Sequence, residues 1–148
     1  MENTPFQDQF TIGGRPISGG APCLFIAEAG VAHFGDMDLA VQLVELAADA
    51  GADVFKTQVF DVDQLIAAEM PEWRDCLRPR NLSLAQFKDL KPLCDERGML
   101  FMATAHNESR IPWLEKLAGS VELWQLDYAS AFAAADSVIG HFGGAAKP

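Results

Sequence analysis

A carboxylate inside an apolar strand must be paired, solvated in a cleft or protonated, and Glu28, within residues 23–29 (CLFIAEA), is such a group. A salt-bridged structural acid and a catalytic acid are both open for it. Lys56, within residues 53–60 (DVFKTQVF), falls by strand alternation on one face with Gln58 and Phe60, while Phe55, Thr57 and Val59 take the other. A lysine so placed can pair with Glu28 or hold a phosphate. Thr104 ends residues 99–104 (MLFMAT) and is followed by His106 and Asn107. Its hydroxyl can donate to a phosphate oxygen or cap the turn that follows. His33, in the GVAHFG segment, reads as a polar surface-loop histidine with ligand-binding potential. Gln125 and Asp127 mark a fourth polar site late in a strand.

Other chemistries are excluded by pattern. There is no G-x-G-x-x-G, no G-x-x-x-x-G-K-[ST] and no G-x-S-x-G, so the dinucleotide, P-loop and serine-hydrolase signatures are missing. His33, His106 and His141 are too widely spaced to imply a metal set. The three cysteines form no C-x-x-C pair and read as reduced, packed thiols. Eleven Lys and Arg against 21 Asp and Glu give a net charge of -10, which opposes phosphate-backbone contacts and argues against nucleic acid as a partner. The start of the chain lacks the order of a signal peptide, and no apolar run approaches the roughly 18 residues of a membrane span. The expectation is a cytoplasmic protein without a membrane partner.

The elements that must position these groups follow from periodicity and punctuation. Residues 9–20 alternate apolar and polar around Gly13-Gly14, a short hairpin that resembles a lid. Residues 23–29 form a buried strand. Residues 36–50 carry Met37, Ala40, Leu43, Val44 and Ala47 at helical spacing, with Asp36 to cap the start and Gly51 the end. Residues 53–60 make the second strand, and 61–82 a long irregular excursion with one short helix. Ser83 and Gln86 spell a capping box for a helix that ends at Gly98 and that Pro92 should bend. Residues 99–104 are a third strand, 108–118 a helix, 121–126 a fourth strand and 132–142 a fourth helix. Strand then helix, repeated, means a parallel sheet with helical crossovers, and in such sheets ligands bind beyond the carboxyl ends of the strands.

These blocks resemble a known family. The segment FTIGGRPISGGAPCLFIAEAGVAHFGDMDLAVQLVELAADAGADVFKTQVF is similar to the amino-terminal part of the N-acetylneuraminate (sialic acid) synthase family, and LSLAQFKDLKPLCDERGMLFMATAHNE resembles its second helix and third strand. The likeness covers residues 9–126 in unbroken order. It implies the first half of a (β/α)8 TIM barrel, here four parallel β-α units, with a hairpin and lid over 1–21 and the half barrel over 22–148, truncated before the fifth strand. It further implies an enzyme of sialic acid biosynthesis, a transferase condensing phosphoenolpyruvate with N-acetylmannosamine or a related amino sugar to a nine-carbon 2-keto acid. Mn2+ or Mg2+ would assist, through ligands outside this chain. By the same resemblance Glu28 lies at the reacting centre, Lys56 and Thr104 hold phosphoenolpyruvate, and Gln58 and His33 join the substrate site.

Four residues depart from the family pattern. Ala32 stands for the usual Asn before His33, His106-Asn107 for Phe-Asp, and Gln125 for a phosphate-binding Lys. Two rival readings follow: a non-catalytic half-barrel binding homologue, and an unrelated flavodoxin-like open sheet in which Glu28 and Lys56 are a structural pair. Strand order separates the open sheet, 2-1-3-4, from the barrel, 1-2-3-4. The half barrel should leave strand edges open and self-associate, and the 148-residue chain alone should lack synthase activity.

Overall fold

The computed structural model describes residues 9–118. Phe10–Ile12 (β1) and Arg15–Ile17 (β2) pair antiparallel about the Gly13-Gly14 turn, in the register Phe10↔Ile17. The hairpin sits at the amino end of the main sheet. Gly13 lies against the Leu100 side chain so closely that a Cβ would collide with it, and Arg15 forms an ion pair with Asp53, just before the second strand of that sheet. The Phe25 N–H, donating to Asp53 at 2.8 Å, and then Arg15 hold the Asp53 carboxyl below the usual carboxylate range. The hairpin therefore closes the end of the sheet opposite to the carboxyl ends where the polar groups gather.

The sheet contains Ile26–Gly30 (β3), Val54–Val59 (β4) and Leu100–Ala105 (β5), all parallel, in the order β3-β4-β5. Consecutive order is the one expected of a barrel's first units. The open-sheet alternative needs β3 between β4 and β5, and the pairings exclude it. The first strand of this sheet begins at Ile26 rather than residue 23: the Phe25 carbonyl already accepts from the Asp53 and Val54 N–H groups, but the paired register starts at Ile26↔Val54.

Met37–Asp49 (α1) starts as its sequence predicts: the Asp36 carboxylate accepts from the N–H groups of Asp38 and Leu39. Leu84–Glu96 (α4) begins with the Ser83–Gln86 capping box and runs on through Pro92 to Glu96. Ala40, Val44 and Ala47 of α1 and Phe87, Leu90 and Cys94 of α4 are buried together with Phe55, Val59 and Phe101 of the sheet. Burial pushes the Cys94 thiol up to about 12, so it is a packing group rather than a nucleophile. Glu108–Arg110 forms a 3-10 turn into Ile111–Ala118 (α5), whose Leu114 joins the same core and whose Trp113 meets Phe87 edge to face.

The excursion after β4 is more ordered than its composition suggests. It holds Val62–Leu65 (α2), Pro71–Leu77 (α3) and a 3-10 turn, Arg78–Arg80. The Asp63 carboxylate forms ion pairs with Arg74, at 3.4 Å, and with Arg78, at 2.9 Å, and the Arg74 guanidinium also donates to the Ile66 carbonyl. Arg78 above all holds the Asp63 carboxyl below its ordinary range. These ties span eight to 15 residues and carry no periodic signature. The predicted fourth strand and helix, with Gln125, Asp127 and His141, lie outside the described residues. No helix among the described residues is long and apolar enough to cross a membrane.

Candidate functional site

The parallel register sets Glu28 of β3 directly beside Lys56 of β4, and the two side chains form an ion pair between Lys56 Nζ and Glu28 Oε2. A bulge between Glu28 and Gly30 shapes this corner. Gly30 has φ +53, a conformation a side chain rarely adopts, and this lets its N–H turn back to donate to Glu28 Oε1 at 2.9 Å. The Thr57 hydroxyl, fully buried, donates to the Gly30 carbonyl at 2.9 Å and pins the bulge from the core side. Both carboxylate oxygens of Glu28 are thus held, one by the backbone and one by Lys56. The Lys56 and Glu28 side chains remain 30% and 41% exposed, so a ligand in solvent can reach both.

Gln58 follows Lys56 on the same face and flanks Gly30 together with Glu28. Its neighbour on β5 is Thr104. The Thr104 hydroxyl makes no hydrogen bond among the described residues, so it does not cap the following turn there. Glu28, Lys56, Gln58 and Thr104 accordingly line one face toward the carboxyl ends of three adjacent strands.

His33 differs from the surface-loop expectation. It is 1% exposed, buried within the turn that follows β3. Its Nδ1 accepts from the Gly35 N–H at 3.1 Å, which leaves the proton of the neutral ring on Nε2, an atom without a partner among the described residues. Burial lowers the pKa of this ring from the ordinary histidine value.

A second set of groups ties the ends of β4 and β5, and sequence reasoning missed it. The Asp61 N–H donates to Asn107 Oδ1 at 2.6 Å, the Arg110 guanidinium donates to the Asp61 carboxylate at 3.1 Å, and Asn81 Nδ2 donates to the Phe60 carbonyl at 3.1 Å. The partners stand 46, 49 and 21 residues apart, so no local signal could reveal them. The His106 ring packs edge to face on Phe60 beside this network.

Among the described residues no three His, Cys, Asp or Glu side chains are grouped to hold a metal ion. Glu28, the acid of the site, already has both oxygens engaged. The described groups therefore do not fit a divalent cation.

The sequence model of the NeuB family matches residues 43–139, across β4, α4 and β5. The chain belongs to the NeuB family. It is 34% identical over 118 residues to the N,N'-diacetyllegionaminic acid synthase of Legionella pneumophila, a match covering 71% of this chain and 33% of that protein. It is 29% identical over 116 residues to the N-acetylneuraminate-9-phosphate synthase of Homo sapiens, covering 70% and 32%. Among solved structures it resembles the N-acetylneuraminic acid (sialic acid) synthetase of Leptospira borgpetersenii in complex with citrate, with a TM-score of 0.69, 30% identity, and coverage of 74% of this chain and 38% of that one. The chain thus spans about a third of the length of the curated relatives it matches. These NeuB relatives are sialic acid and legionaminic acid synthases, and the family match over residues 43–139 includes Lys56.

Proposed function

We propose that this NeuB-family chain forms the first units of a (β/α)8 barrel and supplies the phosphoenolpyruvate side of a synthase that joins phosphoenolpyruvate to N-acetylmannosamine or a related amino sugar. The observation that carries the reading is the solvent-accessible juxtaposition of Glu28 and Lys56 at the middle of neighbouring strands, on the face that Gln58 and Thr104 continue toward the carboxyl ends. An enolpyruvyl phosphate brings a high negative charge, and Lys56 provides the matching cation, with the free Thr104 hydroxyl and the Gln58 amide as neutral donors. The Glu28 carboxylate stands beside C2 of the enolpyruvate, which becomes electron-poor as C3 attacks the sugar aldehyde, and a fixed carboxylate there stabilises developing positive charge. Water then adds at C2, the C2–O bond to the phosphate breaks, and the products are a nine-carbon 2-keto acid and inorganic phosphate. Any Mn2+ or Mg2+ would be held by groups other than those described.

The test is calorimetric titration of the 148-residue chain with phosphoenolpyruvate and, separately, with N-acetylmannosamine. Phosphoenolpyruvate should bind, and Lys56→Ala should weaken that binding roughly tenfold or more while changing sugar binding little, since one charge-assisted contact is lost. Phosphate release on adding the sugar should not occur with this chain alone, which spans a third of the relatives' length. Gln125, in place of the family's fourth-strand Lys, favours the second reading, a binding homologue without catalysis. Failure of the wild-type chain to bind phosphoenolpyruvate would decide for it.

A further inference from the structure

Two loops meet at the carboxyl end of the sheet. Gly35, with φ +78, approaches the Pro79 carbonyl so closely that any Cβ would collide, which locks the loop after β3 onto the Arg78–Arg80 turn. Beside this contact the Arg80 guanidinium lies over the Phe34 ring, 5.0 Å from its centroid. Phe34 adopts φ +51, an uncommon conformation for a bulky residue, and its ring is 56% exposed. The backbone is bent to hold this ring at the surface beneath Arg80 rather than in the core.

In a chain of net charge -10 an arginine readily finds a carboxylate. Among the described residues Arg15 pairs with Asp53, Arg74 and Arg78 with Asp63, Arg97 with Glu45 and Arg110 with Asp61. Arg80, partly buried, has neither an ion pair nor a side-chain hydrogen bond among the described residues. The contact with the ring uses no N–H group, so the guanidinium donors are without an acceptor among the described residues and can take a carboxylate or phosphate through two parallel hydrogen bonds. The ring also restricts the side chain before any ligand arrives, which lowers the ordering cost of binding.

We propose that Arg80 is an oxyanion-binding residue on the loops at the carboxyl end of the sheet that carries Glu28 and Lys56, taking a phosphate or carboxylate group of a bound substrate. The proposal rests on the reading of the Glu28–Lys56 site as one for anionic substrates and adds a second cation to it. The group recognised can belong to phosphoenolpyruvate or to a phosphorylated amino sugar, and the two are separable by titration.

The 148-residue chain and its Arg80→Gln variant are titrated by calorimetry with phosphoenolpyruvate, N-acetylmannosamine 6-phosphate, neutral N-acetylmannosamine and inorganic phosphate. Arg80→Gln should lose about tenfold in affinity for at least one of the two organic phosphates and nothing for the neutral sugar. A loss for phosphoenolpyruvate alone assigns the group to the enolpyruvate, and a loss for the sugar phosphate alone assigns it to the acceptor. Arg80→Lys, which keeps the charge without the planar fork, should recover part of the loss and serves as the readout if the Gln variant does not fold. Unchanged affinity for every phosphate in both variants overturns the proposal. Arg80-dependent binding of inorganic phosphate, without binding of phosphoenolpyruvate, would keep Arg80 as an oxyanion site and remove the proposed function. A wild-type chain that binds none of the phosphates removes both.

Discussion

Lys56 and Glu28 neutralise each other across adjacent strands, while the Gly30 N–H holds the remaining carboxylate oxygen of Glu28. Any anionic ligand that uses Lys56 must therefore compete with a carboxylate already fixed in place. The pair is partly exposed, so its own strength is small, about 1 kcal/mol or less.

Freeing the lysine should consequently favour anions. Glu28→Gln is expected to tighten binding of phosphoenolpyruvate to the 148-residue chain by about two- to fivefold, the equivalent of that weak pair. Calorimetry at two ionic strengths checks it, and the gain should shrink as salt screens both contacts. Weaker binding in the variant would mean that Glu28 orients Lys56 rather than competing for it.

The core under the site rests on α4. Phe87 is fully buried and touches Trp113 of α5 edge to face, with ring centroids 6.2 Å apart. Phe87→Ala should cost about 3–5 kcal/mol through lost burial and the cavity left behind. Urea denaturation should place its midpoint far below that of the wild type. A loss under about 1 kcal/mol would show that α4 and α5 repack freely around the gap.

Acid should weaken the fold through His33. Its folded pKa lies below the ordinary 6.5, so near and below that value the unfolded chain binds the proton that the native ring refuses. The contribution is fully present above pH 6.5 and is lost as pH falls from there through the lowered folded value. Between pH 7.5 and 5, stability measured by denaturant titration should fall more steeply for the wild type than for His33→Gln. Parallel pH profiles would place the acid sensitivity elsewhere.

Association of the chain should run through the open edge of β3. That strand has no neighbour on its outer side among the described residues, and Phe25 and Ile26 beside it are exposed, 54% and 39%. An apolar free edge is a template for another chain. Sedimentation from micromolar to near-millimolar concentration should show self-association that Phe25→Lys reduces. A wild-type chain that stays monomeric throughout would contradict this.

The hairpin, the strand-helix alternation, the Asp36 cap and the Ser83–Gln86 capping box were legible in the sequence because each depends on groups only a few residues apart. The face shared by Lys56 and Gln58 was legible for the same reason, since alternation along one strand is local. Tertiary structure decided the rest. Whether Lys56 meets Glu28 or stands free depends on the β3–β4 register, a relationship across 28 residues. Burial of His33, order in the excursion around Asp63, the place of the hairpin at the amino end and the stacking of Arg80 on Phe34 all arise where separate loops meet. Such contacts are selected by the packing of the whole sheet and its helices, and local residue pattern carries no record of them.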